Sequence, residues 1–214
     1  TSPMLENLKL DVDENLYIPP EAEQEYLKAY PYREIVGSIL FLSICTRPDI
    51  IYAVHYLARY TNKPTKLCCL ACNRVLQYLF NTRHLKAVLG GNIRLEITLF
   101  TDTDFANCTK SRKSIECFLL FLGIGAVMWH CGQQKQICQS TAEAEFCAVT
   151  PGSNAIRWIR NIMHELGLSQ LRAATVFTDN NVALLMITNP VHHSRMKQIH
   201  LKYLLVRELQ HYAI

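Results

Sequence analysis

"LFTDTDFANC", residues 99–108, decides how the rest of the chain is read. It closes the run "RLEITLF" (94–100), whose alternation and strand-forming residues predict a β-strand. Two acids one residue apart, Asp102 and Asp104, end that run. A carboxylate at the end of an apolar strand is costly to desolvate unless something uses or compensates it.

Downstream, "CFLLFLG" and "AVMWHC" predict two further strands, split by Gly123 and Gly125. Three strands with short turns predict an antiparallel meander. "STAEAEFCAV" then reads as a helix start, with Ser140 or Thr141 as cap and Glu143 near the positive end of the dipole. The helical pattern resumes after "PGS" (151–153) as "NAIRWIRNIMHELG" and stops at Gly167. "ATVFTDNN" predicts a fourth strand that again ends in an acid, Asp179. A short helix, "VALLMIT", and a basic amphipathic one, "RMKQIHLKYLLVRELQHY", follow. From residue 94 the order is strand, strand, strand, helix, strand, helix, helix, an α/β layout.

Upstream, the periodicity is helical. "YREIVGSILFLSICT", "DIIYAVHYLARYT" and "LACNRVLQYLFNT" each carry an apolar stripe at helical spacing. "TRPDI" (46–50) and "NKPTK" separate them, and Pro48 suits the first turn of a new helix. Residues 1–29 are acidic, contain Pro19-Pro20 and read as a linker or arm. The expected divisions are therefore 1–29 as an arm, 30–90 as a small helical unit and 94–214 as the α/β unit.

The 214 residues are half hydrophobic, which supports a real core and argues against wholesale disorder. The formal net charge of +4 is uneven: residues 1–25 hold one basic residue and seven acidic ones, so the remainder is strongly basic. A body of that sign suits a polyanionic partner. The nine cysteines are odd in number and lie mostly in apolar runs, which predicts buried free thiols in a reducing, intracellular compartment. "CCLAC" (68–72) lacks the second ligand pair that a zinc site needs. No apolar run reaches membrane-spanning length and no signal peptide is evident, so a soluble protein with no membrane partner is expected.

Three acids stand out: Asp102 after the first strand, Glu145 in the first helix and Asp179 after the fourth strand. If the first and fourth strands are neighbours, both aspartates leave the sheet at one end, and the helix between them can lean a glutamate onto the same spot. Three converging carboxylates repel unless a cation is present. Oxygen ligands favour Mg2+ or Mn2+, and two such ions about 4 Å apart can promote phosphodiester cleavage. Asp104 is read as a turn residue, and Asp179 also fits a helix cap.

These residues carry a resemblance. "YREIVGSILFLSICTRPDIIYAVHYLARYTNKPT", "LFTDTDFANCTKSRKS", "GAVMWH", "QSTAEAEFCAV", "IRWIRNIMHELGL" and "TVFTDNNVALLMITNPVHHSRMKQIHLKY" resemble the C-terminal part of a copia-type LTR-retrotransposon Pol polyprotein, where the tail of reverse transcriptase meets ribonuclease H. The resemblance implies an RNase H-like mixed sheet with packed helices, preceded by a helical polymerase tail. It implies two-metal hydrolysis, with Mg2+ or Mn2+, of the RNA strand of an RNA–DNA hybrid. The upstream reverse transcriptase region is the implied partner, and a cytoplasmic particle or the nucleus the implied location. The metal-binding residues it implies are Asp102, Glu145 and Asp179, with Glu143 a rival to Glu145 because the Thr-x-x-Glu spacing is slipped. Arg112, Lys113, Arg195, Lys197, Lys202 and Arg207 are candidate phosphate contacts.

The departures are Asn107 and Cys108 after the aspartate pair, "KQIH" at 197–200, the "PGS" interruption, and an end at Ile214 before a fourth metal-binding aspartate. They predict a C-terminally truncated domain with slow or absent cleavage. The alternative is an inactive RNase H-like remnant that serves as a nucleic-acid or protein-binding module. An integrase, whose acids run Asp, Asp, Glu, does not fit the order Asp, Glu, Asp. An aspartic protease does not fit either, since "DTD" lacks the glycine its loop needs.

Overall fold

The computed structural model describes residues 2–6, 8–10, 19–90, 95–105, 112–138, 140–168 and 173–179. The chain divides into two compact units, Thr1–Lys86 and Ala87–Ile214.

The first unit is helical: α1 (Glu21–Ala29), α2 (Tyr32–Cys45), a 3-10 turn at Pro48–Ile50, α3 (Ile51–Ala58) and α4 (Lys66–Asn81). Its core is the shared apolar stripe of these helices, with Val36, Ile39, Ile50, Val54, Leu57 and Val75 all buried. Thr65 caps α4, its Oγ1 accepting from the Cys68 N–H at 3.3 Å. The "TRPDI" break is a node. The Arg47 guanidinium donates to both Asp49 oxygens at 2.9 and 2.7 Å and to Thr82 Oγ1 at 2.7 Å. Tyr78 OH donates to Asp49 Oδ2 at 2.9 Å, so the turn is bolted to α4.

Part of the stretch read as an arm belongs to this unit. Leu10 is fully buried, with its N–H donating to Tyr56 OH at 3.4 Å. Residues 21–29 form α1. The acids there are a helix start: Glu21 and Glu23 occupy the first turn, where the dipole favours negative charge.

The second unit holds a four-stranded mixed sheet in the order β3-β2-β1-β4, built from β1 (Ile97–Asp104), β2 (Ile115–Leu122), β3 (Gly125–Gln133) and β4 (Thr175–Phe177). The first three strands form the expected antiparallel meander, and β4 runs parallel beside β1. Gly123, with φ 62, makes the tight turn between β2 and β3 at no steric cost. In β1 the odd positions Ile97, Leu99, Thr101 and Thr103 are buried. Helix α5 (Thr141–Glu165) packs on the sheet, and Ala155 and Ile156 join Ile97, Leu99, Phe118 and Leu120 in one cluster. Burying Leu99 and Leu120 completely contributes roughly 1.5–3 kcal/mol each. This mixed α/β architecture is compatible with an RNase H-like fold.

Two expectations are corrected here. Helix α5 does not restart after "PGS" but runs unbroken through Pro151 for 25 residues. Its packing outweighs the lost N–H, and Gly152 lets the helix press onto the sheet: a Cβ there would stand 2.6 Å from Leu99 Cδ2. The cysteines are not all free thiols either. Cys117 and Cys131 face each other across β2 and β3 and are joined by a disulfide. Cys45, Cys68, Cys69, Cys72, Cys138 and Cys147 keep their thiols outside any disulfide, and burial pushes the Cys69 thiol up to about 11. Both helices expected after Asp179 lie outside the described residues.

Candidate metal centre

The register of the sheet builds the site. Phe100 of β1 pairs with Phe177 of β4 in parallel, and the two rings stack with centroids 5.0 Å apart. Two residues further along each strand stand Asp102 and Asp179, so the parallel pairing delivers both acids to one end of the sheet. Thr101 Oγ1, donating to the Phe177 carbonyl at 3.4 Å, ties the strands where they approach that end.

Helix α5 supplies the third acid. Ser140 caps it, with Oγ accepting from the Glu143 N–H at 3.2 Å. Glu145 lies just beyond the first turn on the face packed against the sheet and is 3% exposed, whereas Glu143 is half-buried. One carboxylate oxygen from each of Asp102, Glu145 and Asp179 lies within 4.8 Å of the others. Asp102 and Asp179 are exposed, so the trio opens to solvent on one side and is rooted in the interior on the other. Asp104, paired with Ile115 at the end of β1, is outside the trio.

The electrostatics follow from that placement. Burial, then the nearby charges of Asp179 and Asp102, push the Glu145 carboxyl up to about 7. Glu145 Oε2 is buried and has no hydrogen-bond partner. Asp102 Oδ1 accepts from the Thr103 N–H at 2.7 Å. A cluster of hard oxygen donors with one orphaned buried oxygen fits a divalent cation of the Mg2+ or Mn2+ class.

The phosphate candidates divide. Arg112 and Lys113 lie at the same end of the sheet, directly before Ser114 and the start of β2. Arg112 is exposed and has φ 53. Arg195, Lys197, Lys202 and Arg207 lie outside the described residues. Two polar residues that periodicity does not single out stand behind the trio. Thr103 Oγ1 and Gln134 Nε2 both donate to the Ala144 carbonyl, at 3.4 and 2.8 Å.

No family model matches the chain, and no solved structure matches it. Curated proteins do. The chain is 34% identical over 206 residues to the retrovirus-related Pol polyprotein from transposon RE2 of Arabidopsis thaliana, covering 96% of this chain and 14% of that protein. Identity to the transposon RE1 Pol polyprotein of the same plant is 35% over 176 residues, 82% of this chain and 12% of that protein. To the Pol polyprotein from transposon TNT 1-94 of Nicotiana tabacum it is 33% over 187 residues, 87% of this chain and 14% of that protein. The chain thus aligns over most of its length with these relatives but spans only a small fraction of theirs.

Proposed function

We propose that this chain, a relative of the retrovirus-related Pol polyproteins of transposons, acts as their ribonuclease H region and hydrolyses the RNA strand of an RNA–DNA hybrid. The observation that carries the reading is the convergence of Asp102, Glu145 and Asp179, from two parallel strand ends and one helix start, within 4.8 Å. Asp102, Glu145 and Asp179 would hold Mg2+ or Mn2+, which supplies Lewis acidity and charge neutralisation at a scissile phosphate.

The residues divide the work. Glu145, buried and unpartnered at Oε2, is the interior anchor. Asp102 and Asp179, exposed, face the side from which a phosphate arrives. Arg112 and Lys113, at the same end of the sheet, suit contacts to the sugar-phosphate backbone that position a hybrid without reading its sequence. The upstream reverse transcriptase region of the same polyprotein is the partner this reading implies. Three converging carboxylates are enough to ligate one ion.

The test is cleavage of a labelled RNA–DNA hybrid in Mg2+ or Mn2+, against RNA–RNA and DNA–DNA duplexes. Hybrid-specific cleavage lost in Asp102→Asn and on chelation is the expected result. Salt-sensitive binding with equal, negligible cleavage by both proteins would leave an inactive binding module in place of the nuclease.

A further inference from the structure

Gln134 is a long polar side chain only 3% exposed, just beyond the end of β3. Ordering it costs up to about 2 kcal/mol in rotamer freedom. Burying its amide costs more unless both ends are bonded. Both are. Nε2 donates to the Ala144 carbonyl at 2.8 Å, and Oε1 accepts from Cys138 Sγ at 3.2 Å. The Gln134 N–H donates to the Ser114 carbonyl at 2.8 Å, which anchors this residue to the segment entering β2.

The Ala144 oxygen is an unusual place for a side chain to bind. It lies near the start of α5, and its carbonyl shares one planar peptide group with the amide nitrogen of Glu145. Two donors from different elements reach it, Gln134 and Thr103 of β1 at 3.4 Å. A peptide plane held from two sides fixes the Cα that follows, and that Cα carries the buried carboxylate of the trio. Helix starts are otherwise among the first parts of a fold to fray. Here the repulsion of Glu145 by Asp102 and Asp179 also pushes α5 away from the sheet. A neutral carboxamide resists that push without adding charge beside the carboxylates, as a lysine would.

We infer that Gln134 is a positioning residue for the Asp102–Glu145–Asp179 centre: through the Ala144 carbonyl, and together with Thr103, it sets where the Glu145 carboxylate stands for a divalent cation. This rests on the metal-site reading above. Removing a partner that orients a metal ligand from behind typically costs about 10–100-fold in metal affinity.

The experiment titrates Mn2+ into the full chain, with free Mn2+ followed by electron paramagnetic resonance and folding by tryptophan fluorescence. Gln134→Met keeps length and volume but removes both hydrogen-bonding groups. It is expected to weaken Mn2+ binding at least about tenfold. Leu120→Ala, a cavity in the cluster between the sheet and α5, lowers the melting temperature but is expected to leave Mn2+ affinity unchanged. Gln134→Asn, whose carboxamide is withdrawn by one methylene, is expected to weaken binding in the same way and takes the place of the methionine variant if that one does not fold. Wild-type affinity in the Gln134 variants, with binding abolished in Asp102→Asn, overturns the inference and leaves the metal site standing. Equal weakening by Leu120→Ala overturns it too, since the effect is then general instability. Wild-type binding that Asp102→Asn does not alter removes the metal-site reading and this inference with it.

Discussion

At the scale of single residues, Glu145 carries the clearest consequence. Its carboxyl, ordinarily at 4.5, is pushed up to about 7 by burial and by Asp179 and Asp102. The folded state therefore holds a proton that the unfolded chain has already lost between those values, and the metal-free protein loses stability as pH rises through that window. Thermal melts in chelator are expected to show a midpoint falling from pH 4.5 to about 7. Glu145→Gln is expected to flatten that fall, because an uncharged amide neither titrates nor repels the aspartates. An unchanged slope in the variant would move the effect to another group. The sequence made Asp102 and Asp179 legible because each ends an apolar run. It left Glu143 and Glu145 as rivals because both lie near the same helix start. Two residues rotate a side chain by roughly 200° about the axis, and only the packing of α5 on the sheet chooses between them. Gln134 was illegible for a different reason: "GQQKQ" reads as a solvated turn, and nothing local marks the one glutamine that turns inward.

At the scale of elements, α5 is where local rules and packing disagree. Pro151 lacks the N–H that would pair with the Cys147 carbonyl, a defect worth about 3 kcal/mol in a helix interior. Sequence punctuation therefore placed a break at "PGS", and tertiary contact overrode it. Pro151→Ala is expected to raise the melting temperature of the second unit, equivalent to about 1 kcal/mol or more once the looser unfolded chain is counted. Gly152→Ala has the opposite expected sign. Alanine in a helix normally gains about 1 kcal/mol over glycine. Here the added methyl meets Leu99, whose side chain is fully buried and cannot swing away. Overpacking costs about 1–3 kcal/mol, so a net loss is expected. Leu99→Ala should lose more alone than in the Gly152→Ala background, a coupling that a double-mutant cycle reads directly. The meander and the β1–β4 pairing were legible because alternation, turn glycines and the crossover rule agree. The Cys117–Cys131 pairing was not, since it depends on the register between β2 and β3.

At the scale of the whole molecule, the two units answer pH with opposite signs. In the helical unit, burial raises the Asp49 carboxyl, but hydrogen bonds from Arg47 and Tyr78 outweigh it and hold it below its ordinary 3.8. That contribution is present above the unfolded value and is lost as pH falls through the folded one. In the α/β unit, the Glu145 contribution is lost on the other side, as pH rises toward about 7. A divalent cation held by Asp102, Glu145 and Asp179, as proposed above, would act on the second effect, because it would neutralise the carboxylate repulsion and stabilise by mass action the folded state that binds it. Both tryptophans of the chain, Trp129 and Trp158, lie in the α/β unit, so their fluorescence reports that unit. Excess Mn2+ is therefore expected to raise the tryptophan-detected midpoint above pH 7 and to act much less near pH 5, where protons compete for Glu145. Asp102→Asn should abolish the shift. A Mn2+ effect of equal size at both pH values, or one that survives Asp102→Asn, would place the ion elsewhere on the chain.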